Sequence, residues 1–125
     1  MPSSAAEGTG PTTSRLTVDI RLQDRSVVVS PAGELDHDSV ALLHERLADA
    51  LANPDTDRLV VDCHDLRFCD STGLNALIAA RREAHDAGGA LILAGLRPAV
   101  ARIFEITGAH TVFDIRPDLA SAVTR

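Results

Sequence analysis

Leu16, Val18, Ile20 and Leu22 alternate with polar residues, the two-residue period of a half-buried strand. Asp24 and Arg25 then mark a hairpin turn. Ser26 to Ser30 carries Val27, Val28 and Val29, and leads through Pro31, Ala32 and Gly33 into Glu34, Leu35 and Asp36, which reads as a second strand with a loop at its end. From Val40 the apolar period lengthens: Leu43, Leu47 and Leu51 recur on one helical face, with Asp36, Asp38 or Ser39 available as caps and Asn53 and Pro54 as the stop. Arg58 to Cys63 holds the continuous run Leu59, Val60, Val61, which suits a strand buried on both faces.

After a loop at His64 to Cys69, a second helix is predicted from about Ser71 to Ala87, capped by Asp70 and ended by Gly88 and Gly89. Ala90 to Ala94 is the next strand. Pro98 suits the first turn of a third helix with Val100, Ile103 and Phe104 on its face and Gly108 as its stop. A short strand Thr111 to Ile115 and a last helix from about Pro117 complete the pattern. Strands alternating with helices predict a single α/β domain over residues 15–125: a mixed, mainly parallel sheet of about five strands with an antiparallel hairpin at its N-terminal edge. Residues 1–14, almost entirely Pro, Ser, Thr, Gly and Ala, read as a disordered leader. In such sheets the loops at the carboxyl ends of the parallel strands converge, here Gly33 to Asp38, His64 to Ser71 and Gly95 to Pro98, and ligands bind there.

Charge narrows the function. Eighteen acidic residues against 12 basic ones give a net charge of −6, so a nucleic-acid backbone is repelled on average. The three aromatic residues are all Phe, too few for a base-stacking surface. No stretch approaches the roughly 18 apolar residues of a membrane span, and a cytoplasmic location is the default expectation. Cys63 and Cys69 read as small core thiols; their spacing, even with His64 beside them, matches no common zinc pattern.

The most informative segment runs from Asp62-Cys63-His64-Asp65 through Leu66-Arg67-Phe68-Cys69 to Asp70-Ser71-Thr72-Gly73-Leu74. It sets two hydroxyls at the start of a helix, where unpaired backbone N–H groups and the helix dipole favour an anion. Asp70, Ser71 and Thr72 are equally good plain caps. A hydrolase would need Ser71 as nucleophile with His37, His64 or His110 as base and Asp36 or Asp70 as orienter, but no G-x-S-x-G elbow is present. A magnesium site built on Asp36, Asp65 and Asp70 would resemble a receiver domain, yet the chain has no lysine to complete that chemistry. Neither Gly-rich nucleotide-binding motif occurs.

The same segment resembles the phosphoacceptor motif of the STAS domain, the family named for sulphate transporters and anti-sigma-factor antagonists. Gly33-Glu34-Leu35-Asp36 is similar to that family's loop after the second strand, and Gly89-Ala90-Leu91-Ile92-Leu93 to its glycine-led fourth strand. Leu96-Arg97-Pro98 through Val100, Ile103 and Phe104 to Thr107-Gly108, followed by Val112-Phe113-Asp114-Ile115, resembles its C-terminal half, so the likeness covers about residues 16–124 in order. Cys63-His64 and Cys69 depart from positions that are commonly apolar or small in the family.

The resemblance implies a non-enzymatic anti-sigma-factor antagonist that needs no cofactor or metal. It binds an anti-sigma serine kinase of the histidine-kinase-like ATPase type when unphosphorylated, and a metal-dependent serine phosphatase restores binding. Ser71 is the phosphoacceptor it implies, with Thr72 as the second candidate, and Asp36, Asp70, Ser71, Thr72, Gly73 and Leu74 are the partner-binding positions. The alternative is a stand-alone STAS subunit of a sensory or lipid-transport assembly without sigma control.

Overall fold

A computed structural model describes residues 15–53 and 57–123. The leader read over residues 1–14 and the stop at Pro54 lie outside them. Strands β1 (Leu16–Gln23) and β2 (Ser26–Leu35) form the antiparallel hairpin. Asp24 and Arg25 both take positive φ at its turn, 51° and 66°, as a two-residue connection between right-twisted strands requires. Helix α1 (Val40–Leu51) leads to β3 (Arg58–Asp62), then β4 (Leu66–Cys69), α2 (Ser71–Asp86), β5 (Ala90–Ala94), α3 (Pro98–Thr107), β6 (Asp114–Arg116) and α4 (Leu119–Val123). The sheet order is β1-β2-β3-β5-β6, with β4 attached to β2 beyond the end of β3, and every pairing after the hairpin is parallel.

Alternate residues of the central strands feed two cores. Val27, Val29, Leu59, Val61, Leu91 and Leu93 pack under α1, α2 and α3, meeting Leu43, Leu47, Leu74, Leu77, Val100 and Phe104. Val28, Val60, Ile92 and Ala94 face the other way and are covered by Ala122 and Val123 of α4. Burial on both faces explains why these strands read as unbroken apolar runs. Two arginines fasten that short helix: Arg58 donates to the carbonyl of Ala122 at 2.7 Å and Arg116 to that of Ser121 at 2.9 Å, while Arg116 also holds the Asp114 carboxylate at 2.7 Å.

The structure differs from the sequence expectations in several places. Among the described residues the sheet has six strands, not about five, because Leu66–Cys69, read as loop, pairs in parallel with the end of β2. Strand β2 itself runs on to Leu35, since Pro31 sits inward with no ladder N–H required of it and Gly33 bends the chain at φ 110°. Leu22 continues the alternation of β1 yet is 70% exposed. In place of a strand from Thr111 there is a 3-10 turn at Ala109–Thr111, and the pairing begins at Asp114. Helix α2 ends at Asp86 and α4 begins at Leu119. Helix α3 ends as anticipated, with Gly108 in the left-handed conformation at φ 80°.

Candidate functional site

The three expected loops do converge. Past Cys69 the β2–β4 pairing continues one step, the amide of Asp70 donating to the Leu35 carbonyl at 3.1 Å. The Gly33 amide donates to Asp65, and the Arg97 guanidinium closes the third loop onto the carbonyl of His64 at 2.7 Å. Gly95, at φ 67°, packs against His64.

Asp70 turns the chain from strand into helix. Its backbone is extended and its carboxylate accepts the amide of Gly73 at 2.9 Å, which satisfies the third N–H of α2. The amides of Ser71 and Thr72, on the first turn, have no acceptor among the described residues. Both hydroxyl side chains are exposed, and neither is hydrogen-bonded among the described residues. Glycine at position 73 is dictated by packing: a Cβ there would stand 2.6 Å from the Cγ of Leu35 and 3.1 Å from the sulfur of Cys69. Close approach at that point seats the start of α2 on the end of β2. Leu74, 4% exposed, belongs to the core beneath it.

The six positions that the resemblance implies for partner binding therefore divide. Ser71 and Thr72 face outward, Asp36 and Asp70 are half-buried, and Gly73 and Leu74 lie inside. Asp36 does not offer a free charge. One of its carboxylate oxygens accepts from the amides of Asp38 and Ser39 at 3.0 and 3.1 Å and from the Ser39 hydroxyl, and the other is held by Arg15 at 3.1 Å. Partial burial raises its pKa, but the backbone and hydroxyl donors together with Arg15 outweigh this and hold the carboxyl below its ordinary value. Ser39, the residue before α1, shares its hydroxyl proton between the Glu34 carbonyl at 2.8 Å and the Asp36 carboxylate at 3.2 Å, and gives no side-chain bond to a helix amide.

Sequence reasoning missed Arg67 and Phe68. Both are exposed on β4, next to Asp70, and Phe68 is 49% exposed although large apolar side chains usually bury. Only the pairing of β4 with β2, across a register shift at Gly33 and Glu34, turns it outward, and no periodicity in four residues could have signalled that. The histidines proposed as bases have other partners: His37 meets Asp38, His64 meets Asp65, and His110 contacts the Phe104 carbonyl. Among the described residues no group of three His, Cys, Asp or Glu is gathered closely enough to hold a metal ion. Burial raises the pKa of both thiols, that of Cys69 to about 12, which favours the thiol over the nucleophilic thiolate at neutral pH. No described helix is long and apolar enough to cross a membrane.

This geometry suits a phosphoryl group on Ser71. Two unpaired amides and the positive end of a 16-residue helix would receive its oxygens, while the Asp70 carboxylate beside it would oppose them.

Comparison with known proteins gives the arrangement a family. The family model described as Mlab, STAS domain, matches residues 18–117. The anti-sigma-B factor antagonist of Bacillus subtilis is 33% identical over 100 residues, which cover 80% of this chain and 90% of that protein. The crystal structure of an anti-sigma factor antagonist from Mycobacterium paratuberculosis superposes with a TM-score of 0.80 at 26% identity, over 92% of this chain and 95% of that one. The same fold is seen in the phosphorylated form of the Bacillus cell fate determinant SpoIIAA, with a TM-score of 0.66 at 21% identity, over 86% of this chain and 96% of that one. With four-fifths of its length matched by the family model, the chain belongs to the STAS family.

Proposed function

We propose that this protein is an anti-sigma-factor antagonist that works by partner switching. In its unmodified form it binds an anti-sigma factor, a serine kinase of the histidine-kinase-like ATPase type, and so frees a sigma factor. Transfer of the γ-phosphoryl group of ATP to the Ser71 oxygen, with loss of the hydroxyl proton and release of ADP, ends that binding. A metal-dependent serine phosphatase reverses it. The protein acts as a regulator in the cytoplasm and is a substrate of enzymes, not itself one.

One observation carries the reading: the Ser71 hydroxyl stands exposed and without a hydrogen-bond partner among the described residues, on the first turn of a long helix whose leading amides are unpaired. A serine serving only as a cap would spend its hydroxyl on an amide of that turn, and here Asp70 already does so. The antagonist names of the relatives favour this over an assembly subunit without sigma control. In this reading Ser71 and Thr72, with the exposed Phe68 of β4, touch the partner, whereas Asp36, Asp70, Gly73 and Leu74 fix where that edge stands. Mass spectrometry after incubation with the partner kinase and ATP tests the site. A single phosphate on Ser71, absent from Ser71→Ala, is expected, and modification chiefly at another residue overturns the assignment.

A further inference from the structure

Among the described residues strand β1 is an edge of the sheet and pairs only with β2. The amide of Glu34 donates to the carbonyl of Arg15, which fixes the phase of the hairpin: odd-numbered residues of β1 direct their backbone groups at β2, and Leu16, Val18, Ile20 and Leu22 direct theirs outward. Arg46 of α1 takes the outward carbonyl of Val18 at 3.2 Å, and that oxygen keeps a second lone pair. The outward groups of Ile20 and Leu22 make no hydrogen bond among the described residues. An exposed edge of this kind is a template for another strand, and Leu22 adds an apolar side chain that the fold leaves in water.

The side chains specify which strand. Asp19 and Arg21 share the face opposite the helices, 73% and 44% exposed, and their ion pair within the strand is loose at 3.9 Å. When β1 pairs antiparallel with β1 of a second copy about a two-fold axis at Ile20, Asp19 lies directly across from Arg21 of the second copy, and Arg21 across from its Asp19. On the other face Val18 then lies across from Leu22, twice, and Ile20 from Ile20. The neighbouring registers that keep the same hydrogen-bonding phase fail. Moving the axis to Asp19 sets Asp19 against Asp19, and moving it to Arg21 sets Arg21 against Arg21, each a like-charge contact. We infer that β1 is a homodimerisation edge, closed by a second copy of this chain in the register centred on Ile20. The Ser71 site lies beyond the Arg15 end of the strand, so an antiparallel pair carries its two sites at opposite ends and leaves both open.

Sedimentation equilibrium over a concentration series tests this. The full chain is expected to show a reversible dimer. Asp19→Arg and Arg21→Asp, both at exposed positions, each replace the two attractive pairs by two repulsive ones and should weaken association by roughly tenfold or more. Mixing the two variants recreates both attractive pairs across a heterodimer, and the double variant Asp19→Arg/Arg21→Asp recreates them in a homodimer, so both should associate as the parent does. Circular dichroism verifies that each variant folds. A parent chain that stays monomeric to about 1 mM, the weak limit of specific association, overturns the inference. So do single variants that dimerise unchanged, or a mixture that stays monomeric.

Discussion

Two helix ends in this molecule treat their backbone groups in opposite ways. At the C-terminus of α4 the free carbonyls of Ser121 and Ala122 are each taken by an arginine, and one of those arginines is itself held by Asp114. At the N-terminus of α2 the Gly73 amide is taken by Asp70, and the amides and hydroxyls of Ser71 and Thr72 have no partner among the described residues. Helix ends are electrically alike apart from sign, so the difference lies in the neighbours the chain supplies. The closed end anchors a five-residue helix that would not stand alone. The open end belongs to a helix already secured by Leu74, Leu77, Ala80 and Ala84, which can leave its first turn free to receive something else.

Filling the open end should have the largest effect. Phosphorylation of Ser71 is expected to weaken kinase binding about 100-fold, roughly 2.7 kcal/mol, through charge and bulk at the docking edge and with the fold intact. Ser71→Ala should bind constitutively and Ser71→Asp poorly, as read by calorimetric titration. Next comes the seat of that helix. Gly73→Ala forces a Cβ against Leu35 and should cost about 2 kcal/mol in urea unfolding, and Leu35→Val in the same chain should recover part of the loss. Removing the one satisfied amide's partner, by Asp70→Ala, should cost about 1 kcal/mol and fray the first turn, seen as faster amide exchange at residues 71–73.

The closed end gives the smallest effect and the clearest pH signature. The hydrogen bond from Arg116 lowers the pKa of Asp114, a contribution that burial opposes and the charges of Arg116 and Arg58 reinforce. A carboxyl depressed in the folded state adds stability above its unfolded pKa and loses it as pH falls through the folded value. Stability from this pair should therefore be flat through neutral pH and decline only below about pH 4, near the ordinary carboxylate value. Asp114→Asn should remove part of that acid slope, by a fraction of a kcal/mol because the pair is half exposed. Asp36 has the same sign and will contribute to the slope that remains.

The sequence was most legible where one physical signal acted alone. Strand β5 appears at Ala90–Ala94 as read, α2 begins at Ser71 under an Asp70 cap, and Gly108 ends α3. Each follows from a local rule of burial period, cap or left-handed turn. Strand β4 was not legible because its two inward residues, Leu66 and Cys69, bracket two outward ones, and a backbone ladder with β2 holds it in place. The candidate site was half legible. The motif located the helix start, yet which of its residues look outward depends on the close contact between Gly73 and Leu35, and that contact joins residues far apart in the chain.

The two thiols have a practical consequence. Cys63 is wholly enclosed and Cys69 is 6% exposed, pressed against Gly73 under the first turn of α2. An alkylating reagent can reach either only when the chain opens, so their labelling rates clock two different fluctuations in one unmodified molecule. Cys63 times the breathing of the sheet interior, and Cys69 times the lifting of the helix start from its seat. The ratio of the two rates, followed as Ser71 is phosphorylated, separates a loosening confined to the docking edge from a softening of the whole domain.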